Sequence, residues 1–376
     1  MSFLTDVASD MIYPLLPDFV TRTLQGGPAA LGLIEGVAES AASLTKMASG
    51  WWSDRIARRK PIVVAGYAIA AIARPLVGFA TSWLHVLAIR FSDRVGKGIR
   101  TPPRDALLAG LVPAGSRGRA FGLQRAMDNA GAFVGPLLAA ALLRFWIPEQ
   151  RTVFLLAFIP GLLAVLLLIW RVPEPPRPAR VAPASTGGGG RLPRSLWIAV
   201  GIFCLFTLAN SSDAFLLLRA RELGIPLWEL PLLWAFLQGV KAAAAVPGGI
   251  LSDRIGRSAS ICLGWIVYCL AYAGFAFAAS PLHAWGIFAV YGLFFGLTEG
   301  AERALVADMV SDQMRGRAFG LFHAAVGIAA LPASVLFGLW WNLFGPRTAF
   351  LIGAGLALAA AVALFAFRRR INPAPR

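Results

Sequence analysis

Charged side chains recur at three- and four-residue steps inside one apolar stretch of the chain, near residues 83–104. They are Arg90, Asp93, Arg94, Lys97, Arg100 and Arg104. On a helix, this spacing places them all on one face about 120° wide. Charged groups cannot face lipid, so within a membrane that face must meet water or opposite charges. The spacing therefore indicates a polar face that could bind an ionic ligand or move protons.

Polar side chains in three other apolar stretches are candidates to face the same space. They are Asp6 and Asp10 in the first stretch, Asn210 and Asp213 in the seventh, and Glu299 in the tenth. Depth counted at about 1.5 Å per residue sets Asp10 level with Arg90, and Asp6 level with Arg94. We predict these two ion pairs, in which a carboxylate that loses its arginine to a ligand could take up a proton. Structural and functional roles are equally open for further intramembrane charges, among them Glu35, Arg74 and Lys241.

The composition indicates which elements must position these groups. Of the 376 residues, 57% are apolar and 14% are charged, whereas a soluble domain has about 25% charged residues. Apolar stretches of about 20 residues, each long enough to cross a bilayer, follow one another along the chain. They lie near 1–20, 29–50, 61–80, 83–104, 118–143, 152–171, 195–218, 227–251, 258–280, 283–309, 316–342 and 347–367. The predicted fold is an all-α membrane protein with twelve transmembrane helices.

Composition and motifs also argue against several classes of function. The net charge of +16 is spread over short gaps between apolar stretches, so membrane topology explains it better than nucleic-acid binding does. The three cysteines lie inside apolar stretches without metal-ligand spacing, and the chain contains no P-loop sequence. We therefore expect no nucleic acid, metal, cofactor or enzymatic activity, and an ion gradient as the energy source.

The chain contains an internal repeat. The segment Arg117–Leu123 recurs unchanged as Arg315–Leu321, and Ser53–Ile56 recurs as Ser252–Ile255. Identical segments at the same ordinal loop of each half indicate duplication of one six-helix unit. Transporters built from such repeats place their ligand site where the two units meet, near the middle of the bilayer.

The repeat also predicts the domain organisation. We expect two six-helix bundles, 1–171 and 195–370, joined by a cytoplasmic linker, 172–194, that is rich in proline and glycine. Asp10 and Asp213 are equivalent, because Ala-Ser-Asp in the first half aligns with Ser-Ser-Asp in the second. Two equivalent carboxylates strengthen the case for a central site.

Basic residues predict the orientation of the chain. Lys and Arg concentrate in alternate loops, in the linker and in the C-terminal tail, and basic loops stay on the cytoplasmic side. Both termini are therefore expected in the cytoplasm, with the helices in a bacterial inner membrane. The first stretch, from Met1, lacks the basic region and cleavage site of a signal peptide and is expected to remain as a helix.

Two loops carry a resemblance to a known family. Residues 50–60 read G-W-W-S-D-R-I-A-R-R-K, and residues 249–257 read G-I-L-S-D-R-I-G-R. Both resemble the motif G-x-x-x-D-R-x-G-R-R of the major facilitator superfamily, whose members close the cytoplasmic side with it. The resemblance implies a cytoplasmic gate made by Asp54, Arg55, Arg58, Asp253, Arg254 and Arg257. The alternative is an exposed charged turn that only sets topology.

The fifth stretch carries a second pattern of the same superfamily. Gly122, Gly131 and Gly135-Pro136 resemble its antiporter motif, with Ala139-Ala140 in place of the last two glycines. Small residues at this spacing let two helices approach closely, and a proline bends the helix. The resemblance implies a proton-coupled exporter. The alternative is close helix packing with no bearing on direction.

The resemblance also implies roles for the intramembrane charges. In this family, helices 1, 4, 7 and 10 line the central cavity, and these are the stretches that hold the polar residues named above. Arg90 falls at the arginine of the family motif R-x-x-Q-G, which is implicated in proton coupling. Here Asp93 and Arg94 replace the glutamine and the glycine.

These observations predict a secondary transporter that works by alternating access. Exchange of a small organic compound for protons is the first hypothesis, and the basic surplus of residues 90–105 favours an anionic cargo. Efflux of a metal ion or metal chelate through Asp6, Asp10, Asp213 and Glu299 is the alternative within the same class. A non-transporting membrane sensor or scaffold is the alternative from another class. We expect a monomer in the lipid bilayer.

Overall fold

The computed structural model of the protein describes residues 1–53, 58–174, 192–311 and 314–371. These residues form helices and no strands. The first half contains α1 from Ser2–Ile12 onward, α2 Gly27–Ser53, α3 Lys60–Phe79, α4 Trp83–Leu111, α5 Arg117–Phe145 and α6 Gln150–Arg171. The second half contains α7 Arg194–Glu222, α8 Leu227–Ile255, α9 Arg257–Phe277, α10 Pro281–Asp308, and α11 and α12 within Arg315–Ile371. The predicted all-α fold is confirmed for the described residues.

Helix α1 and the junction of α11 with α12 depart from regular α geometry at proline and glycine residues. After Ile12, α1 continues through short turns of other helix types, as far as Thr23, and Pro14 and Pro17 lie among them. Proline lacks the N–H that regular helical bonding needs, so the turns tighten or widen there. Between α11 and α12, Gly345 has φ 81° and ψ 169°, a conformation that glycine adopts readily.

The prolines at 102 and 103 do not end α4, which runs on to Leu111. This differs from the prediction that the helix stops near 104. Pro103 cannot donate to the carbonyl of Ile99, and Ser49 Oγ on α2 donates to that oxygen instead, at 2.6 Å. A side chain of the neighbouring helix therefore satisfies a backbone acceptor that the proline leaves free, and the helix continues.

Eight helical segments of the described chain are long and apolar enough to cross a bilayer, the longest being Arg315–Ile371. Helices α1, α2 and α4 are not among the eight. All three carry intramembrane charges, and α1 is also divided by its short turns. Their side chains, described below, find their partners inside the protein.

Contacts divide the chain into two units, Met1–Ser185 with Pro226–Ala235 and Thr186–Ile225 with Phe236–Arg376. In the first unit, α1 packs on α5, and both α2 and α3 pack on α4. In the second unit, α9 packs on α10 and on the α11–α12 segment. The start of α8 therefore groups with the first unit, which the sequence did not indicate. The predicted linker, 172–194, lies mostly outside the described residues.

Candidate functional site

A closed network of ion pairs is buried in the first unit. Arg74 Nε on α3 lies 2.9 Å from Asp93 Oδ1 on α4, and Arg90 Nη2 on α4 lies 2.7 Å from Glu35 Oε1 on α2. Arg90 and Asp93, one turn apart, connect the two pairs at 3.9 Å. All four residues are at most 6% exposed. Arg74 also donates to the carbonyl oxygen of Thr5 on α1, at 2.8 Å, so the network joins four helices.

The prediction that Arg90 pairs with Asp10 is wrong. Arg90 pairs with Glu35, and Asp10 Oδ1 accepts a hydrogen bond from the indole Nε1 of Trp234, at 2.9 Å. The indole also packs against the ring of Tyr13, with centroids 4.8 Å apart. Equal depth in the membrane does not decide which neighbouring helix a side chain points to, so the depth argument could not identify the partner.

A second set of six charges lies outside the closed network, and we call it the open set. It consists of Asp6 and Asp10 on α1, Glu39 on α2, and Arg94, Lys97 and Arg100 on α4. Lys97 lies within electrostatic range of the carboxylates of Asp6 and Glu39. Within the described chain, Arg94 Nε and Arg100 Nη1 are buried without a hydrogen-bond partner, as is Arg90 Nε in the closed network. These cations retain donors that a ligand could use.

The open set corrects two further expectations about α4. The predicted Asp6–Arg94 ion pair does not occur among the ion pairs of the described residues. Arg104, the last charge of the predicted face, lies 3.0 Å from the adjacent Asp105 and does not belong to the set. Arg100 instead places its guanidinium over the ring of Tyr67 on α3, 4.4 Å from the centroid.

Two glycines of the α5 motif bring α5 against α1. A Cβ at Gly131 would meet the carbonyl oxygen of Phe3 and lie 3.0 Å from the Cβ of Asp6. A Cβ at Gly135 would lie 2.5 Å from the carbonyl oxygen of Val7. Only glycine permits this separation. The motif therefore sets the distance between α5 and the helix that carries both carboxylates of the open set.

The other motif residues differ in their surroundings. Pro136 is buried within the continuous helix α5, directly after the contact with α1. At Gly122, no described atom lies within 4 Å of an added Cβ. Close packing within the described chain thus involves the middle of the motif and does not extend to its first glycine.

In the second unit, α7 is interrupted at the predicted cavity residues. Its first part ends at Ala209, and its second part begins at Ala214. Asn210 follows the first part with φ −86° and ψ 81°, outside helical geometry. The hydroxyl of Tyr268 on α9 donates to the carbonyl of Ala209 at 2.9 Å, which satisfies an acceptor at the break.

Asp213 lies at the end of this break and contacts two other helices. Its Oδ1 accepts a hydrogen bond from the hydroxyl of Tyr291 on α10, at 2.5 Å. Its Oδ2 lies 3.4 Å from Lys241 Nζ on α8. The same Nζ lies 3.5 Å from the ring centroid of Phe295. The predicted site residue Asp213 therefore sits beside a lysine and an aromatic face.

Glu299 is placed differently from the other predicted cavity residues. Its Oε1 lies 2.8 Å from Arg303 Nη2, one turn further along α10. The two side chains are 46% and 57% exposed. A pair on the exposed surface of one helix contributes little to binding or stability.

The loop residues of the implied gate are described in part. Asp54 and Arg55 lie outside the described residues, and the side chains of Arg58 and Arg254 are exposed. Asp253 pairs with Arg257, whose Nε lies 3.9 Å from Asp308 Oδ2. The second copy of the motif therefore links the end of α8 to the start of α9 and the end of α10.

Sequence reasoning left several contact residues outside the candidate site. They are Glu35 and Arg74 in the closed network, Trp234 on Asp10, and Lys241 and Tyr291 on Asp213. Opposite charges in neighbouring apolar stretches were the available signal for the ionic residues. Nothing in a single sequence distinguishes the tryptophan or the tyrosine from the many other aromatic residues.

Two histidines occupy equivalent positions in the two halves. His85 Nδ1 faces the backbone N–H of Thr81 at 3.4 Å, and His283 Nδ1 faces that of Ala279 at 3.2 Å. Each follows a serine that caps the same helix. The positions differ by 198, the offset of the repeated segment, which supports the duplication.

Comparison with known proteins decides the family. A family model described as Major Facilitator Superfamily matches residues 1–301 and 234–376. The chain belongs to the major facilitator superfamily. An MFS-type transporter of Methanocaldococcus jannaschii, described as uncharacterised, is 35% identical over 369 residues, which cover 96% of this chain and 92% of the relative. The protein is therefore an MFS transporter, a multi-pass membrane protein that moves small molecules, and not an enzyme.

Two other relatives of this MFS protein are more distant. Multidrug resistance protein MdtG of Klebsiella pneumoniae is 24% identical over 376 residues, covering 96% of this chain and 90% of the relative. The solved structure of the nucleoside transporter NupG superposes with a TM-score of 0.81 at 16% identity, covering 98% of this chain and 97% of that chain. At that identity the likeness shows the fold alone.

Proposed function

We propose that this protein exports a small organic compound across the bacterial inner membrane in exchange for protons. Asp6 and Asp10 are the proton acceptors in this proposal. The observation that carries it is the open set, in which intramembrane carboxylates face basic groups without being locked into the closed network. Intramembrane carboxylates of this kind are typical of proton pathways.

The position of α5 supports the same proposal. Gly131 and Gly135 hold α5 against α1 at the level of Asp6, so a movement of either helix would change the surroundings of a proton acceptor. The name of the MdtG relative, a multidrug resistance protein, agrees with export of organic compounds. Direction of transport is part of the proposal.

The charge balance of the first unit bears on the cargo. Five carboxylates oppose five basic groups in the closed network and the open set together: Asp6, Asp10, Glu35, Glu39 and Asp93 against Arg74, Arg90, Arg94, Lys97 and Arg100. The basic surplus of α4 that favoured an anionic cargo is therefore offset by its neighbours. Exchange further requires that binding of the cargo weakens binding of protons. An anionic cargo beside Asp6 would do the opposite, because a nearby negative charge favours protonation of that carboxylate.

Metal efflux has no comparable support. Among the described residues, no group of three or more His, Cys, Asp or Glu side chains is arranged to hold a metal ion. Asp213 and Glu299, two of the proposed ligands, contact Lys241 and Arg303 respectively. A bound cation would have to displace both basic groups.

Proton movement in proteoliposomes tests the proposal. Vesicles that contain the purified protein and a pH-sensitive dye are given a pH gradient, and organic compounds are added from a panel selected by growth of a deletion strain. We expect one class of compound to drive proton movement in the direction opposite to its own. No response to any compound under any gradient would refute transport and leave the sensor or scaffold hypothesis.

Asp10→Asn sharpens the test. The asparagine oxygen can still accept from Trp234, so the fold should remain while the titratable group is lost. We expect no coupled proton movement in this variant. Glu222→Gln is the matched control, because Glu222 pairs with Arg219 at the outer end of α7, 3.2 Å away. Full coupling in Asp10→Asn would remove Asp10 from the mechanism.

A further inference from the structure

The ion pair between Asp213 and Lys241 differs in kind from the closed network of the first unit. Its N–O distance is 3.4 Å, against 2.7 and 2.9 Å for the two main pairs of that network. Its side chains are 20% and 19% exposed, whereas those of the network are 3–7% exposed. A long, partly solvated pair opens at little cost, because neither charge is left buried and uncompensated.

Each partner of this pair has a second support that remains when the pair opens. Tyr291 donates to Asp213 Oδ1 at 2.5 Å, so the carboxylate keeps its position. The ammonium of Lys241 lies over the face of Phe295, where the electron-rich ring attracts any cation. The geometry is therefore that of a carboxylate and an aromatic face with the ammonium of Lys241 between them.

The charge of the pair limits what can enter it. Asp213 and Lys241 neutralise each other. A cation alone would leave two positive charges beside one carboxylate, and an anion alone would leave the reverse. In either arrangement two like charges a few ångströms apart repel each other. A compound with both charges leaves the net charge unchanged. It also replaces one long contact by two charge-assisted hydrogen bonds.

We infer that Asp213 and Lys241 form a cargo subsite for a zwitterion, in which a cargo ammonium binds Asp213 and a cargo carboxylate binds Lys241. The ring of Phe295 then contacts the cargo ammonium or its neighbouring carbons. This inference rests on the proposed function, because it takes the occupant of the subsite to be the exported compound. It requires no covalent or redox step.

Three probes with one hydrocarbon skeleton test the inference. L-Phenylalanine carries both charges, phenethylamine carries the ammonium alone, and 3-phenylpropionate carries the carboxylate alone. Binding to the purified full-length protein in detergent is measured by calorimetry. Loss of a hydrogen bond to a charged group corresponds to about tenfold weaker binding or more. We expect L-phenylalanine to bind at least about tenfold more tightly than either single-charge analogue.

Each other outcome of this comparison overturns the inference. Equal binding of phenethylamine would mean a cation site, and equal binding of 3-phenylpropionate would mean an anion site. Absence of binding by all three would mean that the pair does not open to such a compound. The comparison uses the unmodified protein, so it does not depend on the folding of any variant.

Single-residue variants test whether L-phenylalanine binds at Asp213 and Lys241. Lys241→Met keeps the length of the side chain without its charge, and Asp213→Asn keeps the shape of the carboxylate. Each should weaken L-phenylalanine binding about tenfold or more, whereas Glu222→Gln should leave it unchanged. Tyr291→Phe removes one hydroxyl and should weaken binding to a smaller extent. Unchanged binding in Lys241→Met, folded by size-exclusion chromatography, would refute the assignment.

The two proposals fail in different ways. The binding measurement needs no gradient, so L-phenylalanine binding without proton movement in vesicles would refute exchange and leave the subsite. Proton exchange driven by compounds of a single charge, without selectivity for zwitterions, would refute the subsite and leave the proposed function.

Discussion

Two arginines on α4 illustrate the two groups of buried charges in the first unit: Arg90 belongs to the closed network, and Arg94 belongs to the open set. Arg90 is 5% exposed and pairs with Glu35, so it keeps no charge for a ligand. Arg94, one turn further, lies outside this network, and both arginines keep a buried Nε without a partner in the described chain. Arg90 resembles the arginine of the family's coupling motif, but its close contact with Glu35 favours a structural role.

Arg90→Leu provides a prediction at this scale. The substitution removes the guanidinium that compensates the buried charge of Glu35, which costs about 3–5 kcal/mol of stability. The double variant Arg90→Leu/Glu35→Leu removes both charges and should recover most of this loss. Thermal unfolding in detergent measures both.

Proton movement in vesicles separates the two roles of Arg90. If the pair is structural, the double variant should retain coupled transport once its stability is restored. A stable double variant without coupling would contradict the structural role and return Arg90 to the mechanism.

At the scale of the element, the position of α1 depends on the absence of side chains at two glycines of α5. Gly131 and Gly135 lack a Cβ, so α5 lies directly against the backbone of α1. Helix α4 shows the opposite device, since Ser49 on α2 supplies the donor that Pro103 lacks. The glycines of α5 thus allow α1 to lie close, and the serine of α2 allows α4 to continue past its prolines.

Gly131→Ala provides a prediction for the contact of α5 with α1. The added methyl group would meet the carbonyl of Phe3, so α1 must move away and carry Asp6 with it. We expect transport to fall at least about tenfold, and stability to fall by about 1–3 kcal/mol as for other overpacked sites. Transport assays and thermal unfolding measure the two effects.

Gly122→Ala is the matched control from the same helix. No described atom lies near a Cβ at this position, and alanine is a better helix former than glycine by about 1 kcal/mol. Stability should stay the same or rise. Equal loss of transport in both variants would mean that the motif acts through something other than its contact with α1.

At the scale of the whole molecule, the two halves use one repeat with different chemistry. The offset of 198 aligns Arg74 with Tyr272 and Asp93 with Tyr291. The first unit buries an ion pair at these positions, whereas the second buries two tyrosines whose ring centroids lie 6.4 Å apart. Tyr291 also donates to Asp213, which the Ser-Ser-Asp alignment pairs with Asp10 at a different offset of 203. The two halves therefore share the repeat but carry different polar side chains at equivalent positions.

Orientation in the membrane provides a prediction for the whole molecule. The basic loops predict that the C-terminus lies in the cytoplasm. A C-terminal fusion to green fluorescent protein should therefore fluoresce in bacterial cells, and a fusion to alkaline phosphatase should be inactive. Phosphatase activity without fluorescence would contradict the predicted orientation and the direction of transport proposed from it.

The amino-acid sequence by itself determined the all-α membrane class, the duplication and the family. Each of these depends on periodicity, apolar length or local motifs, which any stretch of chain displays without reference to its neighbours. It also identified Asp10, Arg94 and Asp213 as intramembrane polar residues, since charge in an apolar segment is visible in one dimension.

The tertiary structure alone decided which charges are paired. Helix α4 has neighbours on several sides, and rotation about its axis determines whether Arg90 meets Asp10 or Glu35, a choice that depth along the chain does not contain. The partners Trp234 and Tyr291 come from helices far away in sequence. Ion pairing depends on distances of a few ångströms between helices, and only their packing determines those distances.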